Sequence, residues 1–384
     1  MDELDRLLGG GLIPGGVILF GGEPGIGKST LLLQIAELVA GRYGNVLYVS
    51  GEESEGQVKL RASRVGVGNK RLYVLSEQSL ARITAAVEQV SPVALIVDSI
   101  QTTVDERTAG EAGSLRQLRE ASSELIQRAK SRKMATFLVG HITKEGAFAG
   151  PKSVEHLVDV AVYLEGSRGD DMRILRSVKN RFGATNEVVV LRMTAEGLTE
   201  IADPSRFFLD DIDKEPKPGT TVVPILEGTR AILVEMQALV SATGGYGIPQ
   251  RRCTGLDVNR VLLLLAVMEK HLGIQVGGAD VYLSLAGGLE TRERGTDLGV
   301  VASICSSLRD RPLPAKTAVV GEVGLSGEIR SVRSLGERIR EAEKMGIERI
   351  LVPDGSRTSN DRVGGIEIVG VEGIGQALEG IGLK

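Results

Sequence analysis

"GGEPGIGKST", residues 21 to 30, is the stretch on which the fold turns. Within it Gly22, Gly27, Lys28 and Ser29 complete the pattern G-x-x-x-x-G-K-[ST]. The apolar run "GVILFG" (16 to 21) precedes it and a helix-compatible stretch follows, the strand–loop–helix setting in which this pattern binds nucleotide phosphates. Glycines let backbone N–H groups turn inward around phosphate oxygens, and a helix starting near Lys28 adds unpaired N–H groups and the positive end of its dipole. The loop Gly22, Glu23, Pro24, Gly25, Ile26, Gly27, Lys28, Ser29 and Thr30 is therefore expected to hold ATP. Lys28 reaches the β and γ phosphates, Ser29 holds Mg²⁺, and Thr30 lies near the α phosphate.

Outward from the loop, "NVLYVS" (45 to 50), "RLYVL" (71 to 75), "VALIVD" (93 to 98) and "ATFLVG" (135 to 140) are near-continuous apolar runs, as parallel strands covered on both faces require. Between the last two, residues 114 to 133 space Leu115, Leu118, Leu125, Ile126 and Ala129 as a helix does. Alternating strands and helices predict an α/β domain with a doubly wound, mostly parallel sheet. Three further strands near 158 to 193, joined by short turns, predict an antiparallel extension at its edge. Asp98 ends an apolar strand and is expected to bind the magnesium through water. Glu52 and Glu53 end the neighbouring strand at the same edge; one is expected to act as general base, with Glu52 preferred. His141 closes another strand, either as a γ-phosphate sensor or as a structural residue.

The 384 residues exceed one core, so two domains are expected: 1–202, a linker over 203–221 with three prolines and a cluster of acids, and 222–384. Lys plus Arg number 46 against 50 Asp plus Glu, a formal charge of −4, so any polyanion must meet a local patch. No apolar run reaches membrane-spanning length and the start is acidic, so no membrane partner and a cytoplasmic location are expected. Cys253 and Cys305 are too few for a zinc site and are read as buried thiols; zinc is not expected.

With these motifs in hand, the residues resemble the RecA-like ATPase superfamily and, within it, the bacterial RadA (Sms) family. The likeness spans almost the whole chain through "ELDRLLGGGLIPG", "YVSGEES", "IVDSIQT", "VGHITKEGAFAGPKSVEHLVD", "VKNRFGATNEV" and "GEVGLSGEIRSV". It implies a RecA-like P-loop ATPase domain followed by a Lon-protease-like α/β domain. It further implies a homo-oligomeric ring, a hexamer in the family, driven by ATP on single-stranded DNA. Branched recombination intermediates and the recombinase RecA are the implied partners, and branch migration in DNA repair the implied work. By the same resemblance Lys179 and Arg181, at the tip of a hairpin, serve the γ phosphate of an adjacent subunit. Arg116, Arg119, Lys144 and Lys152 are the implied DNA contacts. The family's N-terminal four-cysteine zinc module has no counterpart before the ATPase motifs here.

The run "GEVGLSGEIRSVRSLGERI" resembles the proteolytic domain of Lon, a Ser–Lys protease. That pattern lays the nucleophile on Gly295 and the lysine on Gly336, neither with a functional side chain, so protease activity is expected to be absent. The alternatives to a DNA-dependent ATPase are an ATP-dependent serine protease, disfavoured by those glycines, and a RecA-like signalling ATPase, disfavoured by the single phosphate loop.

Overall fold

In the computed structural model, which describes residues 2–141, 153–166, 171–185, 187–209, 215–243, 248–356 and 362–383, the apolar runs around the phosphate loop form the centre of one sheet. The first elements are α1 (Asp2–Leu7), β1 (Val17–Gly22), α2 (Lys28–Arg42), β2 (Val46–Ser50), α3 (Glu55–Arg64), β3 (Leu72–Ser76), α4 (Leu80–Val90) and β4 (Ala94–Asp98). They continue with α5 (Leu115–Arg132), β5 (Ala135–His141), β6 (Val160–Glu165), β7 (Met172–Asn180), β8 (Val188–Thr194) and β9 (Gly197–Glu200). The strands are ordered β3-β2-β4-β5-β1-β6-β7-β8-β9. Strands β1, β2 and β4 are buried at every residue because helices cover both faces. Ile18 and Phe20 of β1 share one core with Leu31 and Ile35 of α2, while Val17 and Leu19 share the other with Leu118 and Leu125 of α5. Ser114 caps α5 by accepting from the Gln117 amide, and Ser54 with Gln57 forms a capping box on α3.

One strand differs from expectation. β6 runs parallel to β1 and antiparallel to β7, so the antiparallel extension begins at β7. The stretch from 142 to 159 gives the chain length for the crossover that parallel pairing needs.

The chain divides into two compact units, Met1–Ala202 and Asp203–Lys384. The second starts with α6 (Pro204–Phe208), β10 (Thr220–Glu227), β11 (Arg230–Ala242), β12 (Arg251–Thr254), α7 (Val258–Leu272), β13 (Ala279–Leu285) and α8 (Asp297–Leu308). It ends with β14 (Thr317–Val319), β15 (Glu322–Val323), β16 (Ile329–Arg330), α9 (Leu335–Lys344), β17 (Arg349–Pro353), β18 (Arg362–Val363), β19 (Ile366–Val371) and α10 (Ile374–Gly380). Its main sheet is ordered β12-β13-β11-β10-β14-β17-β19-β18.

The expected linker over 203–221 needs correcting. Asp203 accepts from the Arg206 amide as the cap of α6, and Pro204 takes the first helical position, where a missing N–H is harmless. Ser205 Oγ then bonds Glu341 at 2.6 Å and receives the Leu233 amide at 3.1 Å, and Phe208 is buried. Residues read as the start of a linker therefore start a helix that belongs to the second unit. Cys305 is buried as expected, whereas Cys253 sits half-exposed on the edge strand β12.

Candidate functional site

The phosphate loop leaves β1 at the C-terminal edge of the parallel strands and enters α2 through Gly27. Gly27 has φ of +115°, and a Cβ there would stand 2.7 Å from Met193 Cε, so the turn needs glycine on both counts. No side chain caps α2 and no acid lies in its first turn, so the N–H groups that open the helix are free to meet an anion. Behind the loop, Arg173 of β7 donates from Nε to the Ile26 carbonyl at 3.0 Å.

The cleft above the loop, of about 310 Å³, is lined by Lys28, Ser29, Thr30, Glu52, Glu53, Arg61, Asp98 and His141 among others. β1, β2, β4 and β5 all end there, which brings together the loop, both glutamates, Asp98 and His141. Lys28 Nζ donates to the carbonyls of Gly22 and Glu23, each at 2.9 Å, and lies 3.0 Å from His141 Nδ1. Burial lowers the Lys28 pKa, opposed by Asp98 and Glu52, which favour its charged form. The other ring nitrogen of His141 lies 3.0 Å from Glu52 Oε1, the same oxygen that accepts from Ser99 Oγ at 2.8 Å.

The two glutamates are not equivalent. Glu53 is paired with Arg61 of α3, and its amide is held by Ser50 Oγ. Glu52 faces the cleft. Burial raises its pKa, but the Ser99 hydroxyl, the His141 ring and the Lys28 charge outweigh that and hold it below its ordinary value. A carboxylate so depressed is ionised through the neutral range; the stabilisation it brings is present above the ordinary carboxylate pKa and is lost as pH falls through the lowered value.

Asp98 is also buried, and its Oδ2 accepts from the Tyr48 hydroxyl at 2.6 Å. Burial, then the Asp98 charge, push the Tyr48 pKa well up, so the phenol stays a donor. The neighbouring Ser29 side chain opposes that rise, so Tyr48 lies beside both residues that would hold a magnesium ion. The glycine cradle, the open helix end, the buried lysine and this Ser29–Asp98 pair fit a magnesium nucleotide, with phosphate oxygens and water supplying the remaining ligands. Tyr48, Arg61, Ser99 and Arg173 carry no local sequence signature; Tyr48 sits inside an ordinary strand pattern, and Arg173 is far from the loop in sequence.

Lys179 and Arg181 lie elsewhere. Lys179 pairs across β6 with Ala161, level with Leu19 near the start of β1, and Arg181 donates its amide to the Asp159 carbonyl at 3.0 Å. The phosphate loop leaves the opposite end of β1, five residues or roughly 16 Å along the strand from Val17. Lys179 Nζ donates to the carbonyls of Glu155 (2.9 Å) and His156 (3.0 Å), and Arg181 pairs with Asp159 at 3.5 Å while remaining half-exposed. Buried Asn180 braces the turn, donating to the Leu7 carbonyl and accepting from the amides of Phe182 and Gly183. Arg116 and Arg119 are exposed on the first turns of α5. Lys144 and Lys152 lie outside the described residues.

Comparison with known proteins gives the family. Residues 2–147 match the family model described as an AAA domain, and residues 291–369 that of the Lon protease (S16) C-terminal proteolytic domain. The DNA repair protein RadA of Bacillus subtilis (strain 168) is 46% identical over 378 residues, covering 98% of this chain and 82% of that protein. The DNA repair protein RadA of Halalkalibacterium halodurans is 46% identical over 379 residues, 99% and 82% respectively. That of Listeria monocytogenes serovar 1/2a gives the same identity and coverage. The chain belongs to the RadA family. Its first unit is accordingly an ATPase domain that takes a nucleotide with Mg²⁺.

In this RadA-family chain the second unit has the Lon-like fold, and an ion pair stands beside Gly295, one of the two positions onto which the dyad pattern falls. Arg338 is fully buried; it pairs with Glu293 and donates to the carbonyls of Pro224 and Arg333. A Cβ on Gly295 would meet Glu293 Oε1 at 2.8 Å and Arg338 Nη1 at 3.4 Å. Thr296 Oγ1 donates to the Glu293 carbonyl at 2.7 Å. Asp297, at the head of α8, is buried against Arg260 and accepts from the Val323 amide at 3.0 Å. Gly336 stands on the first turn of α9 with open space where a side chain would begin. No described helix is long and apolar enough to cross a membrane.

Proposed function

We propose that the protein is a DNA-dependent ATPase that works as a ring, six subunits in the closed form, on single-stranded DNA, driving branch migration of recombination intermediates in cytoplasmic DNA repair alongside the recombinase RecA. The observation that carries this reading is where the cations stand. The described lining of the nucleotide cleft has two, Lys28 and Arg61, and Arg61 is taken by Glu53. Lys179 is level with Leu19 and Arg181 with Val17, so both lie back along the strands from the loop that follows Gly22. A ring lets each subunit lend that pair to its neighbour's γ phosphate, and a cation lent in this way accelerates phosphoryl transfer by roughly 10³ to 10⁵.

The chain's own residues divide the work. Lys28 exchanges its carbonyl partners for β and γ phosphate oxygens. Glu52, kept ionised, orients a water and accepts its proton, while Glu53 holds Arg61 and α3 in position. His141 lies between Lys28 and Glu52 and registers the γ phosphate. Ser29 and Asp98 hold the magnesium, which supplies charge neutralisation on the phosphates. Arg116 and Arg119, with Lys144 and Lys152, contact DNA phosphates. The second unit acts as an assembly collar without protease activity: the Glu293–Arg338 pair occupies the surroundings of Gly295, and the Thr296 hydroxyl is committed to a backbone carbonyl.

Mixing tests the reading. Lys179→Ala and Arg181→Ala proteins are expected to bind ATP normally and hydrolyse it poorly. Activity is partly restored when either is combined with Lys28→Ala protein, because mixed rings rebuild some complete sites. Full activity in either single variant contradicts the scheme.

A further inference from the structure

Two side-chain amides lie in series between the nucleotide cleft and the start of α5. The β4–β5 ladder ends at Val97 and Leu138, so the last residue of β5 has no main-chain partner on that side. Gln101, in the 3-10 turn Ile100–Thr102 that follows β4, takes the place of that partner. Its Nε2 donates to the His141 carbonyl at 3.1 Å, and its Oε1 accepts from the His141 amide at 2.9 Å. The planar amide thus holds the residue whose ring lies against Lys28 and Glu52.

The chain beyond Gln101 is gripped by the second amide. Gln117 is buried on the first turn of α5; its Oε1 accepts from the Asp105 amide at 2.9 Å, and its Nε2 faces the carbonyls of Asp105 at 3.1 Å and Gly110 at 3.3 Å. Gly113 closes the loop: a Cβ there would stand 3.4 Å from the Gln101 carbonyl oxygen. On either side of Gln117 are Arg116 and Arg119, both exposed.

We propose that Gln101 and Gln117 are positioning residues that couple occupancy of the nucleotide cleft to the strand-binding arginines Arg116 and Arg119. The inference rests on the reading of those arginines as DNA contacts. When Lys28 turns to a phosphate it leaves the His141 ring, and when Glu52 turns to water the ring loses its second partner. The His141 backbone then shifts, and a bidentate amide follows it where a single hydrogen bond would slip. Through residues 102–113 the movement reaches Gln117 and sets the angle of the first turn of α5. Coupling of this kind is reciprocal, so nucleotide and strand change each other's affinity by one common factor.

The test uses the full chain, a labelled oligo(dT) and a non-hydrolysable ATP analogue. Oligonucleotide affinity is measured with and without analogue, and analogue affinity with and without oligonucleotide. The natural chain is expected to give the same factor both ways, on the order of tenfold. Gln101→Glu keeps the size and the acceptor but sets a carboxylate against the His141 carbonyl, and the factor is expected to fall to about one, again by the definition of coupling. Thermal melting separates lost coupling from lost fold. Hydrogen exchange in the natural chain provides an independent reading, since protection of the His141 amide must change when the analogue binds. A folded Gln101→Glu protein with the natural factor, or His141 protection indifferent to the analogue, overturns the clamp. Absence of oligonucleotide binding in the natural chain overturns instead the DNA-binding reading beneath it.

Discussion

Tyr48 is the residue whose importance is least visible in the sequence. It occupies a strand position that any aromatic could fill, yet its hydroxyl holds Asp98 at 2.6 Å inside a buried environment. A hydrogen bond to a charged group of this kind is worth about 1.5 kcal/mol. Tyr48→Phe keeps the ring and removes that donor, so the Mg²⁺ concentration needed for half-maximal nucleotide binding is expected to rise by roughly tenfold. Affinity for metal-free nucleotide should stay near its natural value in the same fluorescence titration. An unchanged Mg²⁺ dependence contradicts the assignment. By contrast Lys28, Ser29 and Asp98 were legible directly, because a phosphate loop must put its lysine, hydroxyl and distal acid at fixed places around one strand edge. Glu52 was preferred over Glu53 from the sequence alone; the fold adds that α3 brings Arg61 back onto Glu53.

Among elements, the β7–β8 hairpin is fixed by its neighbours more than by its own turn. Gly9 packs so closely that a Cβ would stand 2.8 Å from the Phe182 carbonyl carbon, and its φ is +88°. Gly9→Ala is therefore expected to cost about 2 kcal/mol, combining a strained backbone with a clash. Calorimetry would read this as a melting point lowered by several degrees, with hydrolysis in the proposed ring reduced further than nucleotide binding. An alanine protein with the natural melting point and rate removes the brace from the account. The parallel strands were readable from continuous apolar runs, since strands covered on both faces have no polar alternation to confuse them. The direction of β6 was not readable, because pairing with β1 or β7 alone leaves the same pattern in the strand itself. Nor was α6, where Asp203 and Pro204 are as typical of a loop as of a helix start, and only burial of Phe208 decides between them.

For the whole molecule, a chain of net charge −4 that holds DNA must concentrate its cations, and the proposed ring would do this for any group near its axis. Strand affinity is then expected to fall steeply with salt, log affinity against log salt being linear. The division at Ala202 offers a second measurement. A protein ending there is expected to bind ATP through an intact first unit and to assemble poorly, by light scattering, without the collar proposed for the second unit; stable rings from the fragment contradict the assembly role.

The Asn180 hydrogen bond to the Leu7 carbonyl has a practical corollary. Anyone trimming the chain back to the phosphate loop in search of a minimal enzyme would keep every group that grips the triphosphate, yet cut the mooring of the hairpin. Such a product would look healthy in a nucleotide-binding assay and, in the proposed ring, be a poor neighbour to every subunit beside it.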